Sequence, residues 1–340
     1  MKTQRLLIPF LVLILAAAAC SLPVADSVPF TETPPPVQSA PDTEIPIPLA
    51  ATDTPILLPP TDTPLPLPAT DIPALTLDQL KNAEVNITGV TGNSAATTVK
   101  LVNGKYESKS DHTAADYVNV NMGKQVAYGD LNGDGAQDVA IIIGENYGGT
   151  GDFVSVVAML NQNGQPVFGG SYGVDDRPAI NSLAIQNGEI LLDATIHGPN
   201  DPGCCAAQPV TESLRLWSGK LVQTRHTSKI ADGSERIIKI DSPAQDSEIS
   251  GPFTINGSVT VAPFENTLGY SVFVEGKADP IMQSAVMVSA TDMGGPGTFT
   301  LPLDLTTTPD AKGNLRIEIS DVSAADGSYL AVATLFVTIK

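Results

Sequence analysis

Hydrophobic and polar positions fall into three regimes along the chain. Leu6 to Leu15 is apolar almost without a break. Prolines and threonines then interrupt the apolar residues as far as about residue 75. Beyond that point short apolar runs alternate with turn residues. Thr76 and Gln79 make a capping-box signature for a short helix through Leu80. Val99 and Leu101 alternate, Asn103-Gly104 marks a hairpin turn, and Tyr106 follows. Val126 to Tyr128 leads into a Gly/Asp loop, and Val139 to Ile143 reads as a buried strand. Phe153 to Leu160 is the next strand, turned by Asn163-Gly164. Ile185, Asn187-Gly188 and Ile190 to Ile196 form a further hairpin. Leu214 to Trp217 and Leu221 to Gln223 flank Ser218-Gly219. Residues 76–229 are therefore expected to be a mainly β, mixed but mostly antiparallel domain with minor helix.

The polar stretch 230–236 reads as a domain boundary. Apolar runs resume at Ile237 to Ile240, Phe253 to Val261, Tyr270 to Val274, Phe299 to Leu303, Leu315 to Ile319 and Leu330 to Ile339. About seven strands in about 100 residues, with turns at this spacing, predict a β-sandwich over 237–340.

Residues 21–75, after Cys20, read as a disordered Pro/Thr-rich linker. Every charge in it is acidic, and Thr52-Asp53-Thr54-Pro55 returns nine residues later as Thr61-Asp62-Thr63-Pro64 and again at Thr70-Asp71-Ile72-Pro73. Proline fixes φ and removes a donor, so neither helix nor sheet propagates. In polyproline II geometry the segment spans roughly 170 Å, enough to lift folded domains well clear of a surface.

The N-terminus has the order of a secretory signal: basic Lys2 and Arg5, the apolar run, then Ala16 to Ala19. The run is shorter than the about 20 residues that a membrane span needs. Cys20 directly after the small residues resembles the lipobox of bacterial lipoproteins. That resemblance implies a signal peptide over 1–19, a diacylglyceryl lipid on Cys20, and an extracytoplasmic protein held to the membrane, at the cell surface or in the periplasm. An ordinary signal peptide with an incidental cysteine is the other reading. The formal charge is −19 and becomes about −21 once Lys2 and Arg5 leave with the leader. Such a chain repels nucleic acid and anionic headgroups, so acyl chains rather than a basic patch would hold it. Scarce aromatic residues, with Trp217 the single tryptophan, argue against an aromatic sugar platform.

The sharpest chemical motif is Asp130-Leu131-Asn132-Gly133-Asp134-Gly135-Ala136-Gln137-Asp138. Side-chain oxygens of Asp130, Asn132, Asp134 and Asp138, with the Ala136 carbonyl, can converge on one hard cation. The loop resembles the calcium loops of FG-GAP repeats, which lie between strands. Ile141 stands where an EF-hand carries its bidentate Glu, so Ca²⁺ affinity is expected on the order of 10⁻⁴ to 10⁻³ M. An Asx-rich hairpin held by its own side-chain to backbone bonds is the competing reading. Gly148-Gly149-Thr150-Gly151 lacks the lysine and helix of a phosphate loop and reads as a turn. Asp175-Asp176-Arg177 reads as a turn with a local ion pair. His112, His197 and His226 show no metal spacing and read as surface or satisfied. Cys204 and Cys205 are adjacent, with a vicinal disulfide, buried thiols and an intermolecular pair all open.

Two further resemblances cover the domains. Leu80-Lys81-Asn82-Ala83, Leu101 to Tyr106, the Asp130 loop, the Gly148 turn, Asp176-Arg177 and Cys204-Cys205 look like a family of uncharacterised bacterial envelope lipoproteins, over residues 76–224. Ala206 departs from the proline common there after the paired cysteines. Ile240-Asp241-Ser242-Pro243, Gly251 to Gly257, Phe264-Glu265-Asn266-Thr267 and Ser323 to Ser328 are similar to the Gmad2 family of immunoglobulin-like domains. That similarity implies a β-sandwich.

An anchor, a stalk and two β domains are the architecture of display. The expected function is a lipid-anchored, non-catalytic binding or scaffolding module, with an envelope protein or polysaccharide as partner and structural Ca²⁺. The alternatives are a cell-wall or polysaccharide hydrolase using Asp175 or Asp176, and a purely structural surface lipoprotein.

Overall fold

The computed structural model describes residues 72–87 and 97–340. Cys20, the leader and the proline-rich segment up to residue 71 lie outside the described residues. The fold is mainly β, as expected. It opens on α1 (Leu77–Leu80), where Thr76 Oγ1 accepts from the Gln79 amide at 3.3 Å and Gln79 Oε1 accepts from the Thr76 amide at 2.8 Å. The capping box thus forms, and fully buried Leu80 pins the helix to the core. Leu75, which the sequence reading assigned to the linker, is also buried, and the Pro73 carbonyl accepts from Asn161 Nδ2 at 2.9 Å.

Strands β1 (Glu84–Ile87) and β2 (Thr97–Lys100) pair as a small antiparallel ladder. A meander follows: β3 (Lys105–Glu107), β4 (Asn119–Gly129), β5 (Asp138–Asn146), β6 (Phe153–Gln162) and β7 (Gln165–Asp176), hydrogen-bonded in that order. A second meander contains β8 (Ala179–Gln186), β9 (Glu189–Ile196), β10 (Gln208–Trp217) and β11 (Lys220–Lys229). Asn103-Gly104, Asn163-Gly164, Asn187-Gly188 and Ser218-Gly219 all have positive φ at both residues. Such turns match the right-handed twist of paired strands. β5 is buried on both faces. Val139, Ile141 and Ile143 pack with Leu80, Val85 and Leu101, while Ala140 and Ile142 pack toward Ile190, Leu192 and Leu214. The first meander is therefore the middle layer, between the α1/β1/β2 cover and the β8–β11 sheet.

The stretch 230–236, read as a domain boundary, is a tight reversal. Gly233 N–H donates to the Ile230 carbonyl at 2.9 Å, and β12 (Glu235–Arg236) pairs back onto β11. Then come β13 (Ile238–Ser242), β14 (Ser247–Ile249), β15 (Phe253–Val259), β16 (Thr267–Val274), β17 (Met282–Ala290), β18 (Gly297–Leu303), β19 (Gly313–Val322) and β20 (Tyr329–Ile339). They are antiparallel except for β14, which runs parallel to β20. Ile255, Leu268, Val272, Phe299, Ile317 and Leu335 centre a core separate from those of the first lobe.

The two lobes share one sheet. β11 pairs with β20 through Arg225↔Ala333 and His226↔Val332, so the path runs β19-β20-β11-β10. β14 occupies the C-terminal part of β20 at Val337 to Ile339. Alternate residues Ala331, Ala333, Leu335 and Val337 fill the second core. The opposite row, Val332, Thr334 and Phe336, is also buried. Thr334 Oγ1 donates to the Gln223 carbonyl at 2.9 Å, and Ser228 Oγ to the Leu330 carbonyl at 2.6 Å. Arg236 pairs with Asp321 at 2.8 Å and Arg215 with Asp246 at 3.0 Å. The Arg215 guanidinium also stacks 4.6 Å from the Phe336 ring centroid. The seam is joined by main-chain and polar bonds, whereas each lobe keeps its own apolar core.

Candidate functional site

The Asp130–Asp138 loop joins β4 to β5, where the strand–loop–strand pattern placed it. Asp130 accepts from the amides of Gly133 at 2.7 Å and Gly135 at 2.9 Å. Asn132 accepts from the Asp134 amide at 3.0 Å, and Asp134 from the Ala136 amide at 2.7 Å. Asp138 turns inward and is fully buried. One oxygen accepts from the Leu131 amide at 2.9 Å and the other from the Asn161 amide at 2.8 Å. Burial pushes its carboxyl above the ordinary aspartate range; those two amides pull it down, and the charges of Asp134 and Asp130 push it further up. The donor set is all oxygen, the chemistry of a hard cation, and a carboxylate with about four lone-pair sites keeps some spare after accepting from two amides. Among the described residues, no three His, Cys, Asp or Glu side chains gather as a metal site would require.

Asp175 and Asp176 turn to different partners. Asp176 binds Arg177 at 2.6 Å and accepts from the Asp152 amide at 2.8 Å. The Arg177 hydrogen bond holds its carboxyl below the ordinary range. Asp175 Oδ2 instead meets His197 Nδ1 at 2.8 Å and accepts from the His197 amide at 2.6 Å. His197 begins the loop that carries the cysteines. Cys204 and Cys205 are joined as a vicinal disulfide and are exposed, which settles one of the three possibilities left open. Asp201 braces this loop by accepting from the amides of Gly198 and Ala207, both at 2.8 Å. Arg177 adds a bond to the Gly203 carbonyl at 2.5 Å.

Sequence reasoning missed a second polar site, a cleft of about 150 Å³ between β7, β10, β11 and the turn before β20. Its floor is Glu212 and His226, directly opposite each other on β10 and β11 and each about 3% exposed. Glu212 Oε1 meets His226 Nδ1 at 2.9 Å and accepts from Gln223 Nε2 at 3.0 Å and Tyr172 at 3.3 Å. Glu212 Oε2 and His226 Nε2 are buried with no protein partner. His197 lines the same cleft, and its Nε2 is likewise buried and unpartnered. Burial, reinforced by the Glu212 charge, pushes the Tyr172 phenol well above its usual range. The expectation that the histidines are surface or satisfied therefore fails at His226 and at His197, each of which leaves a buried Nε2 without a partner. No local spacing announces this site, because cross-strand register alone pairs residue 212 with residue 226.

A larger groove of about 1090 Å³ runs along the seam. Asn132 and Gly133 of the Asp130 loop reach it, as do the Asn187-Gly188 turn and exposed Arg225. None of its lining residues belongs to the cleft.

The C-terminal lobe is an immunoglobulin-like β domain. The family model for Gmad2, the immunoglobulin-like domain of bacterial spore germination, matches residues 237–328. The match ends immediately before β20, the strand that forms the seam. No curated protein matches the chain. No helix among the described residues is long and apolar enough to cross a membrane.

Proposed function

We propose that this chain is a lipid-anchored extracytoplasmic envelope protein that works as a non-catalytic binding or scaffolding module. Cys20 carries the diacylglyceryl lipid, the Pro/Thr-rich segment is the stalk, and the paired lobes are the displayed body. The carrying observation is the β11–β20 pairing, which welds an immunoglobulin-like domain to a second β lobe and leaves a groove along the joint. Immunoglobulin-like domains are binding frames, and binding residues favour loops and edges presented by rigid scaffolds. The partner is an envelope protein or a polysaccharide. Ca²⁺ at Asp130, Asn132, Asp134, Ala136 and Asp138 is part of the proposal as a structural clamp on a loop that borders the groove; its all-oxygen donor set supports it, and binding would have to draw together carboxylates that do not gather as the loop stands. The divergence of Asp175 and Asp176 weighs against a hydrolase built on that pair, since acid and base must face one bond.

The test is in-cell photo-crosslinking of the full chain. A photoreactive residue replaces Arg225 in the groove or, as a control, exposed Lys312 outside it. The expected result is a discrete adduct from position 225, none from position 312, and loss of the membrane-bound adduct in Cys20→Ala. Equal labelling at both positions, or none at either, contradicts binding at the groove and favours a purely structural spacer.

A further inference from the structure

We propose that the cleft floored by Glu212 and His226 binds a small organic cation, a primary ammonium of a few heavy atoms. The two carboxylate oxygens of Glu212 are used unequally. Oε1 receives three side-chain contacts, from His226, Gln223 and Tyr172, while Oε2 is buried and has no protein partner. A buried carboxylate oxygen without a donor is costly, and a donor-bearing guest removes that cost. The two histidines add acceptors of the same kind. Each has Nδ1 against a carboxylate, Glu212 for His226 and Asp175 for His197. A carboxylate only accepts, so in the neutral rings the proton sits on Nδ1 and Nε2 presents a lone pair; the Gln223 amide, 3.3 Å from His226 Nδ1, spends its two protons on Tyr172 and Glu212. Both Nε2 atoms are buried and unpartnered.

The cleft thus offers acceptors in need of donors, one of them on an anionic group. No Lys or Arg lines it. The Arg316 guanidinium on neighbouring β19 is held by Glu318 at 2.8 Å and lies 3.9 Å over the Phe273 ring. An anion would find no counter-charge here, and a neutral polyol would leave the carboxylate uncompensated. The walls suit an alkylammonium. Val174, Ile196 and Leu330 are apolar, and Tyr172 and Tyr329 add rings for cation–π contact. The space of about 150 Å³ equals the liquid volume of about five waters and limits the guest to a few heavy atoms. Glu212 and His226 are buried at the floor, while Tyr329 at 45% exposure and partly exposed Ser328 stand at the mouth. This proposal is independent of the seam groove, with which the cleft shares no lining residue.

The experiment is calorimetric titration of the purified full chain with ethanolamine hydrochloride, against sodium acetate and ethylene glycol at matched ionic strength. Saturable binding of ethanolamine alone is expected, with affinity falling at least tenfold in Glu212→Gln. Ser328→Trp, at the mouth and away from the Glu212–His226 pair, should also abolish binding. Absence of saturable heat, equal response to acetate or glycol, or unchanged affinity in Glu212→Gln overturns the proposal. If Glu212→Gln fails to fold, Ser328→Trp decides, and full affinity in that variant has the same consequence.

Discussion

Asp138 illustrates what one buried carboxylate does for this fold. It closes the Asp130 loop through the Leu131 amide and ties that loop to β6 through the Asn161 amide. Asp138→Asn replaces one acceptor oxygen by a donor that faces a buried amide, leaving that amide unpaired. The expected loss is about 1–3 kcal/mol, read as a lower urea midpoint with unchanged slope. The motif spacing made the loop legible, because Asp, Asn and Gly at those offsets have few structural uses. The inward turn of Asp138 was not legible, since the second amide it serves belongs to a residue on another strand. Glu212 and His226 were hidden for the same reason. They meet through the β10–β11 register, with a bulge just past Glu212 at Ser213/Leu214, and neither residue has a neighbour in sequence that hints at the other.

Among the elements, those set by local chemistry were readable. The α1 capping box and the Asn-Gly turns form as expected, because their donors, acceptors and positive φ values lie within a few residues. β7 and β17 were not read. β7 carries Gly169 and Gly170, which weaken a strand pattern. A Cβ on Gly170 would lie 2.9 Å from the Leu221 amide nitrogen and 3.1 Å from Lys220 Cα, so glycine there lets β7 pass close to the start of β11. β17 buries only Val286 and Val288, too few to stand out from a polar stretch. The β4–β5 loop carries the metal prediction. If Ca²⁺ binds at millimolar strength, a tenfold excess over Kd adds about 1.4 kcal/mol, or about 3 °C in Tm. Scanning calorimetry of the full chain in Ca²⁺ against chelator is the check. An unchanged Tm removes calcium from the account and leaves the amide bonds of Asp130, Asn132 and Asp134 as the loop's whole support.

At the scale of the whole molecule, the sequence marks two cores and a polar stretch between them, and the structure has separate apolar cores on either side of it. The joining of the lobes was not legible from local pattern, although β20 carried a trace of it. Its run Tyr329–Ile339 is apolar at nearly every position, as a strand buried on both faces must be. One face fills the immunoglobulin-like core and the other meets the first lobe, and pairing with β11 and β14 covers what would otherwise be a bare sheet edge. The groove lies along this seam and the cleft beside it, so both functional proposals depend on the lobes forming one body. Amide hydrogen exchange on the intact chain tests that dependence most directly. The account predicts that the paired segments Arg225–His226 and Val332–Ala333 exchange as slowly as the strands around Ile142 and Ile317 within the two lobes. Rapid exchange at those four residues, with both lobes still protected, would mean that the seam opens freely and would contradict it.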